Sequence, residues 1–427
     1  MADKVDLYDS SALVLSGGIE MDKSETSRAQ KPTALLGWEW GEGLGHLNNL
    51  NFVAETLLEE GFEIAIAVRN KKAAWTVINN PLIKIIQAPP WSRRERAKFL
   101  QPHDIAGILY NIGFTDLNCL QRCISGWKAI IDSHNPSLIV SEFAPGLLAA
   151  SVGSSIKRVS IGSSFAEPDP NKTLMEFRER YPDPIPKDYQ LSVLDNLNRA
   201  LARLGSPTLE TLNELFLTDQ TIITSIPELD AYGYRLNAHY LGPINGIQSC
   251  RGIEKTDRNS APRIFVYLKT ESVFFDTAMD ALSSLDIEVI AFVPGVKHHQ
   301  VQNYLRPGFT VSDSPFVIEE ALAWCDLVVH HGGNSLTGQS VLAGRAQLLF
   351  PNHHEQQVTA DRAEASGMAV HLNSQDVDRV KSVLRNLLNA IGQFQSNTQN
   401  NINYMHMTSE WQRNTVKNLL IDSGYYY

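Results

Sequence analysis

The chain is short of three things, and each shortage excludes a class. Cysteine is scarce: 4 in 427 residues, at Cys119, Cys123, Cys250 and Cys325. None forms a C-x-x-C pair, so no disulfide framework or zinc ribbon is readable, and a reducing compartment is expected. A basic surplus is missing: 37 Lys and Arg stand against 47 Asp and Glu, a net charge of −10. A nucleic-acid partner, which asks for a basic footprint, is not expected. Long apolar runs are missing too. None approaches the roughly 18 residues of a membrane span. The opening MADKVDLYDSS lacks the basic and apolar regions of a signal peptide. The expectation is a soluble cytoplasmic protein.

What is present is enough core for more than one domain. Hydrophobic residues make up 43% of a chain too long for a single ordinary core. The most informative stretch runs from Asp326 to Gln357. An apolar strand ends at Val329. His330, His331, Gly332 and Gly333 make a turn. Asn334 and Ser335 are good N-cap residues for a helix ending at Gly344. Ala346 to Phe350 reads as a second buried strand, and Pro351 opens a loop holding Glu355 and Gln356. Paired glycines let the backbone approach a ligand, and the following helix aims N–H groups and partial positive charge at that place. This is a place to hold a phosphate or diphosphate.

Here the sequence resembles the donor-binding signature of the family 1 GT-B glycosyltransferases, the UDP-glucuronosyl/glucosyltransferase group. The matching parts are His331-Gly332-Gly333-Asn334-Ser335, Pro351 and Glu355-Gln356. Where the family carries Asp, this chain has Glu355. The resemblance implies an α/β chain of GT-B type, with two Rossmann-like doubly wound domains facing each other across a cleft. It implies that His331 and the amides of Gly332, Gly333, Asn334 and Ser335 hold a diphosphate, and that Glu355 and Gln356 hold sugar hydroxyls. It implies a UDP-sugar as co-substrate, with no other cofactor and no metal.

The first half opens with an apolar strand, Thr33 to Trp38, then Gly41, Gly43, Gly45 and His46, then a helix with Leu47, Leu50, Val53, Leu57 and Leu58 on one face. The glycines are spaced G-x-G-x-G, and the second strand ends at Val68-Arg69 without an acid, so a dinucleotide fingerprint is disfavoured. In the family, a glycine-rich loop here ends in Gly-His, and that His is the general base. The resemblance gives this part to His46 and puts Gly43, Gly45 and Trp91 on the acceptor side. A helix N-terminus lowers a histidine pKa, so His46 is expected below its ordinary value. Glu142 ends the strand Ser137 to Ser141. Two readings stand for it: an orienting partner of His46 or acceptor contact, and a solvent-facing strand end.

Trp91 precedes Arg93, Arg94, Arg96 and Lys98. A solvated helix start is favoured for this cluster. Attraction of an anionic acceptor or a membrane surface stays open, so peripheral membrane contact does too. Cys119 and Cys123, four apart on a helix, are read as packing residues. In the second half, the loop after the strand Arg263 to Leu268 is Lys269-Thr270-Glu271-Ser272, where many relatives carry Gly and Ser at the diphosphate. Thr270 is counted with the donor site, and backbone groups near Val317 are implied to hold the base.

The domain expectation is a leader at 1–32 with a short strand at 12–15, an acceptor-side domain at 33–246 and a linker at 247–262. A donor domain at 263–406 and a helix at 407–427 crossing back to the first domain complete it. The paired histidines (298–299, 330–331, 353–354) do not make a metal site, because adjacent side chains of regular structure rarely bind one ion. The function read from all this is transfer of a sugar from a nucleoside diphosphate to an acceptor hydroxyl, with inversion. A nucleotide-sugar epimerase or hydrolase, and a non-catalytic binder, are the alternatives. The acceptor and the oligomeric state are not readable.

Overall fold

The strands TALLGW, EIAIAV and LIVSE are nearly continuous apolar runs, the pattern of parallel strands covered on both faces. In the computed structural model they lie side by side in such a sheet. The structure describes residues 31–41, 43–91, 102, 104–172, 189–245, 251–253, 261–400, 404 and 406–421. The expected strand at 12–15, the basic residues 93–98 and most of the expected linker lie outside the described residues. Pro32 onward forms one compact unit that contains both sheets.

The first sheet is built from β1 (Thr33–Trp38), β2 (Glu63–Val68), β3 (Ile83–Gln87), β4 (Leu138–Glu142), β5 (Lys157–Gly162), β6 (Gln220–Ile223) and β7 (His239–Tyr240). Its order is β3-β2-β1-β4-β5-β6-β7, all parallel. Helices α1 (Gly45–Glu59), α2 (Lys71–Val77), α3 (Ile105–Leu109), α4 (Leu117–His134), α5 (Pro145–Ala150) and α6 (Tyr189–Arg203) cover its faces. Between α3 and α4 the chain kinks at Gly113, which takes φ 131°.

The second sheet has β8 (Arg263–Tyr267), β9 (Glu288–Phe292), β10 (Phe309–Ser312), β11 (Leu327–His330), β12 (Ala346–Leu349) and β13 (Val370–His371). Its order is β10-β9-β8-β11-β12-β13, again parallel. Its helices are α7 (Phe275–Ser283), α8 (His298–Val301), α9 (Ile318–Trp324), α10 (Asn334–Leu342), α11 (His354–Ala365), α12 (Val377–Asn389) and α13 (Ile391–Asn400).

In each sheet the chain order reverses at the first strand, between β1 and β4 and between β8 and β11. Ligands of doubly wound sheets gather outside the carboxyl ends at such reversals. The last helix, α14 (Ser409–Leu420), starts on the Thr408 cap and packs Val416 and Leu420 into the core beside α1. Gln412 donates to the carbonyls of Leu241 and Pro243, holding the helix against the first sheet's last connection. An apolar seam of Ile226 and Leu229 against Val341, Leu349 and Ala360 joins the two sheets' layers.

Two local expectations are corrected. Gly333, not Asn334 or Ser335, is the N-cap of α10, and no side chain caps it. Asn334 is instead the first helical residue, with its side chain directed to the first domain. Glu355 and Gln356 sit in the first turn of α11 and not in a loop. The run HEQQVTADRAEA buries only three residues, so it lacks the apolar stripe that makes a helix legible.

Candidate active site at the carboxyl ends of two sheets

At the carboxyl end of β1 the register pairs Trp38 with Glu142 of β4. The chain then turns through Gly41, at φ 94°, and Gly43, at φ 97°, into α1. His46 lies in the first turn of α1, its ring stacked on Trp38 at 5.6 Å. Its Nδ1 is 2.6 Å from Oε2 of Glu142. A carboxylate only accepts, so the proton sits on Nδ1 and the lone pair on Nε2. A β-carbon at Gly41 would lie 2.1 Å from that Nε2, so only glycine leaves the nitrogen room. Gly45, by contrast, has open space around it.

The charge of His46 departs from the sequence expectation. Burial opposes the imidazolium, but the Glu142 charge and hydrogen bond, with Glu355 further off, outweigh burial and Arg69. His46 therefore titrates above its ordinary value, not below it. The helix terminus does not decide this charge, because a carboxylate in contact acts more strongly than a partial charge.

The surroundings of Glu142 were not legible. Its Oε1 accepts from Nδ2 of Asn49 at 3.1 Å. Beside it, burial and the Glu142 charge push buried Glu167 up to about 8. The next residue, Phe143, holds φ 44°, a strained value for a bulky side chain at a functional corner. Glu39, just past β1, is buried and pushed up to about 7 by burial. It accepts from Gly146 N at 2.6 Å, from the Trp127 indole and from Cys123 at 3.4 Å. Cys123 thus does more than pack. Trp91 stacks on Phe114 at 5.2 Å, at the border of the core cluster that contains Phe143.

Across from this corner, β11 leads into the turn at His330–Gly333. Gly332 takes φ 80°. The N–H groups opening α10 carry no side-chain cap, which leaves them for an anion. His331 Nε2 accepts from Lys269 N at 2.8 Å, tying the loop after β8 to the turn. The proton is therefore on Nδ1, which faces Phe350 O at 3.4 Å and the Asn352 amide at 2.7 Å. That amide must present its oxygen to the ring, and its nitrogen then faces Ser272. Burial pushes His331 down to about 4, and His330 likewise. Gln356 accepts from Asn352 N at 2.9 Å, fixing the loop before α11. Thr270 is half-buried in the turn after β8, with Lys269 and Glu271 exposed. Val317 N donates to Arg251 O at 3.1 Å, so this backbone group is engaged within the chain.

The two corners meet. Ser163, after β5, donates to Oε1 of Glu355 at 2.9 Å, and Ser225 donates to Oδ1 of Asn334 at 2.8 Å. The structure thus gathers His46, Glu142 and Glu355 at one place and puts His331 to Ser335 on the facing sheet. Among the described residues, no group of three or more His, Cys, Asp or Glu could hold a metal ion. No described helix is long and apolar enough to cross a membrane.

Two parallel α/β sheets with this arrangement of corners invite comparison with known proteins. A family profile described as "Erythromycin biosynthesis protein CIII-like, C-terminal domain" matches residues 276–409. The NDP-glycosyltransferase YjiC of Bacillus subtilis (strain 168) is 25% identical over 142 residues, which are 32% of this chain and 36% of that protein. The match thus spans about a third of that relative's length. The solved glycosyltransferase VinC in complex with dTDP superposes with TM-score 0.63 at 17% identity, covering 91% of this chain and 98% of that one. The spinosyn rhamnosyltransferase SpnG complexed with thymidine diphosphate gives 0.61 at 15% identity, covering 91% and 99%. The chain has the GT-B fold and resembles the family 1 glycosyltransferases. In this GT-B chain His46 and Glu142 occupy the first domain's reversal, and the His331 turn occupies the second's.

Proposed function

We propose that this protein transfers a sugar from a pyrimidine nucleoside diphosphate to an acceptor hydroxyl. The observation that carries the reading is the His46–Glu142 pair facing Glu355 and the uncapped glycine turn before α10. In the reaction, Nε2 of His46 takes the acceptor proton as the acceptor oxygen bonds to the anomeric carbon. The bond from that carbon to the diphosphate breaks, and the nucleoside diphosphate leaves with the electron pair. Displacement from the opposite face inverts the anomeric centre. Glu142 stabilises the imidazolium that forms. The N–H groups of Gly333 to Ser335 and the helix partial charge stabilise the departing diphosphate. Glu355 and Gln356 meet sugar hydroxyls. No cofactor or metal beyond the donor enters this scheme.

The resemblance points to uracil, while VinC and SpnG were solved with thymidine diphosphate. The acceptor side follows SpnG, which was also solved with spinosyn aglycone. The test is incubation of the purified protein with UDP- and TDP-sugars and a panel of hydroxyl acceptors, read by mass spectrometry of products and NMR of the anomeric centre. Glycoside with inverted configuration supports the reading. Nucleoside diphosphate released at the turnover rate without acceptor would indicate a hydrolase, and binding without turnover a non-catalytic binder.

A further inference from the structure

The hydrogen bonds of the base continue past Glu142. Asn49 lies three residues after His46, on the same face of α1, and is buried. Its Nδ2 donates to Oε1 of Glu142 at 3.1 Å and lies 3.4 Å from Oγ1 of Thr224, just after β6. The carbonyl of Thr224 accepts from Nδ2 of Asn334 at 3.0 Å. Asn334 opens α10, so the chain of contacts begins at the base and ends at the turn facing the diphosphate position.

We propose that Asn49 is a positioning residue for the His46 base, and that Thr224 and Asn334 tie its orientation to the facing domain. The proposal rests on the reading of His46 as the base. A carboxylate held by one oxygen can still turn about its last bonds. A second donor on the other oxygen fixes its plane and so fixes the imidazole. An amide suits this task because it is neutral. A cation there would draw the carboxylate charge away from His46, and another acid would join Glu142 and Glu167 in one buried place. The charged and titratable groups that face His46 and Glu142 are Glu355 from α11, Arg69 at the end of β2, and Glu167.

The test follows His46 by NMR titration in the substrate-free full-length protein, with His46→Ala to assign its signals, alongside kinetics. Asn49→Ala should lower kcat about tenfold or more, the scale of one hydrogen bond to a charged group. It should leave UDP and TDP affinity unchanged. It should also bring the His46 titration down toward the ordinary histidine value. Thr224→Val, nearly isosteric, should move the titration the same way by less, and tests the proposal if Asn49→Ala does not fold. Asn334→Ala should move it too, although Asn334 belongs to the facing domain. A fall in kcat with an unmoved His46 titration in all three variants overturns the proposal, because a structural defect alone would do that. An unmoved titration in Asn334→Ala alone overturns the tie between domains. Full activity of His46→Ala would instead overturn the reading of the base, and the titration would still test Asn49.

Discussion

His46 and His331 occupy equivalent corners and behave in opposite ways. Each follows a strand at the reversal of a parallel sheet, each sits by glycines with positive φ, and each stands at the start of a helix. Burial and the helix partial charge disfavour the charged form in both. Yet His46 titrates above its ordinary value and His331 at about 4. The difference is the partner. His46 meets the Glu142 carboxylate, whereas His331 meets a backbone N–H, a carbonyl and an amide. One corner is therefore equipped to take a proton. The other holds a neutral ring that fixes a loop beside an anion site.

The contrast breaks most sharply at His46. His46→Ala should cut kcat by about 10²–10⁴-fold with donor affinity little changed. Retention of more than about a third of the activity would rule out the base. In the native protein, activity should fall as pH drops through the raised His46 value, and Glu142→Gln should move that fall to lower pH.

Next is Gly41→Ala. Its new β-carbon meets Nε2 and its backbone at φ 94° disfavours a side chain. A loss of about tenfold or more in kcat is expected from misplacing a reacting group by an ångström. Gly45→Ala, whose new β-carbon meets no atom of the chain, is the comparison and should lose less. Equal losses in both would mean that the loop, not the room at Nε2, is responsible.

The two domains should also differ in how pH acts on their stability. Glu39 is pushed up to about 7 from 4.5. Its folded form thus binds a proton that the unfolded form releases, and stability falls as pH rises between these values. Urea unfolding of Glu39→Gln should improve against wild type by on the order of 2–3 kcal/mol between pH 4.5 and 8. The histidines at about 4 act in the opposite sense: stability falls as pH drops from about 6.5 toward 4. A Glu39→Gln difference that does not change with pH would remove this contrast.

Both ring nitrogens of His331 are engaged within the chain, so it acts on the donor through the loop it holds, and His331→Ala should weaken UDP or TDP binding by about 1 kcal/mol in calorimetry, the scale of one lost hydrogen bond. Because His331 stays neutral, the loss should be the same at pH 6 and pH 8. A pH-dependent loss would give His331 a charge it is not read to have. The smallest effect is at the junction. Ser163→Ala should change the KM for donor sugar by a factor corresponding to about 1 kcal/mol or less, whereas Glu355→Ala should impair sugar use and spare nucleoside diphosphate affinity. Equal loss of both ligands in Glu355→Ala would make that residue structural.

Much of the scaffold was legible because parallel strands announce themselves as unbroken apolar runs. Thr33–Trp38, Arg263–Tyr267 and Ala346–Leu349 lie where the runs lie. The glycine turns were legible because positive φ selects glycine. Less legible was α11, which hides its helical period in a polar run. Asn334 and Ser335 do not cap α10, although Asn and Ser are good caps in isolation. Here Asn334 is drawn away by Thr224 and Ser225, 110 and 109 residues distant in the chain.

The sequence by itself determined the two doubly wound halves, the glycine turns and the residue types at each corner, since all of these follow from short-range periodicity and backbone preference. Tertiary structure alone decided which groups meet. Glu142 reaches His46 across 96 residues, Asn49 and Glu167 crowd the same carboxylate, and Ser163 finds Glu355 192 residues away. Proton affinity depends on distance and burial in three dimensions. The same residue type at the same kind of corner therefore stands against a carboxylate that favours its charged form in one domain and stays a neutral brace in the other.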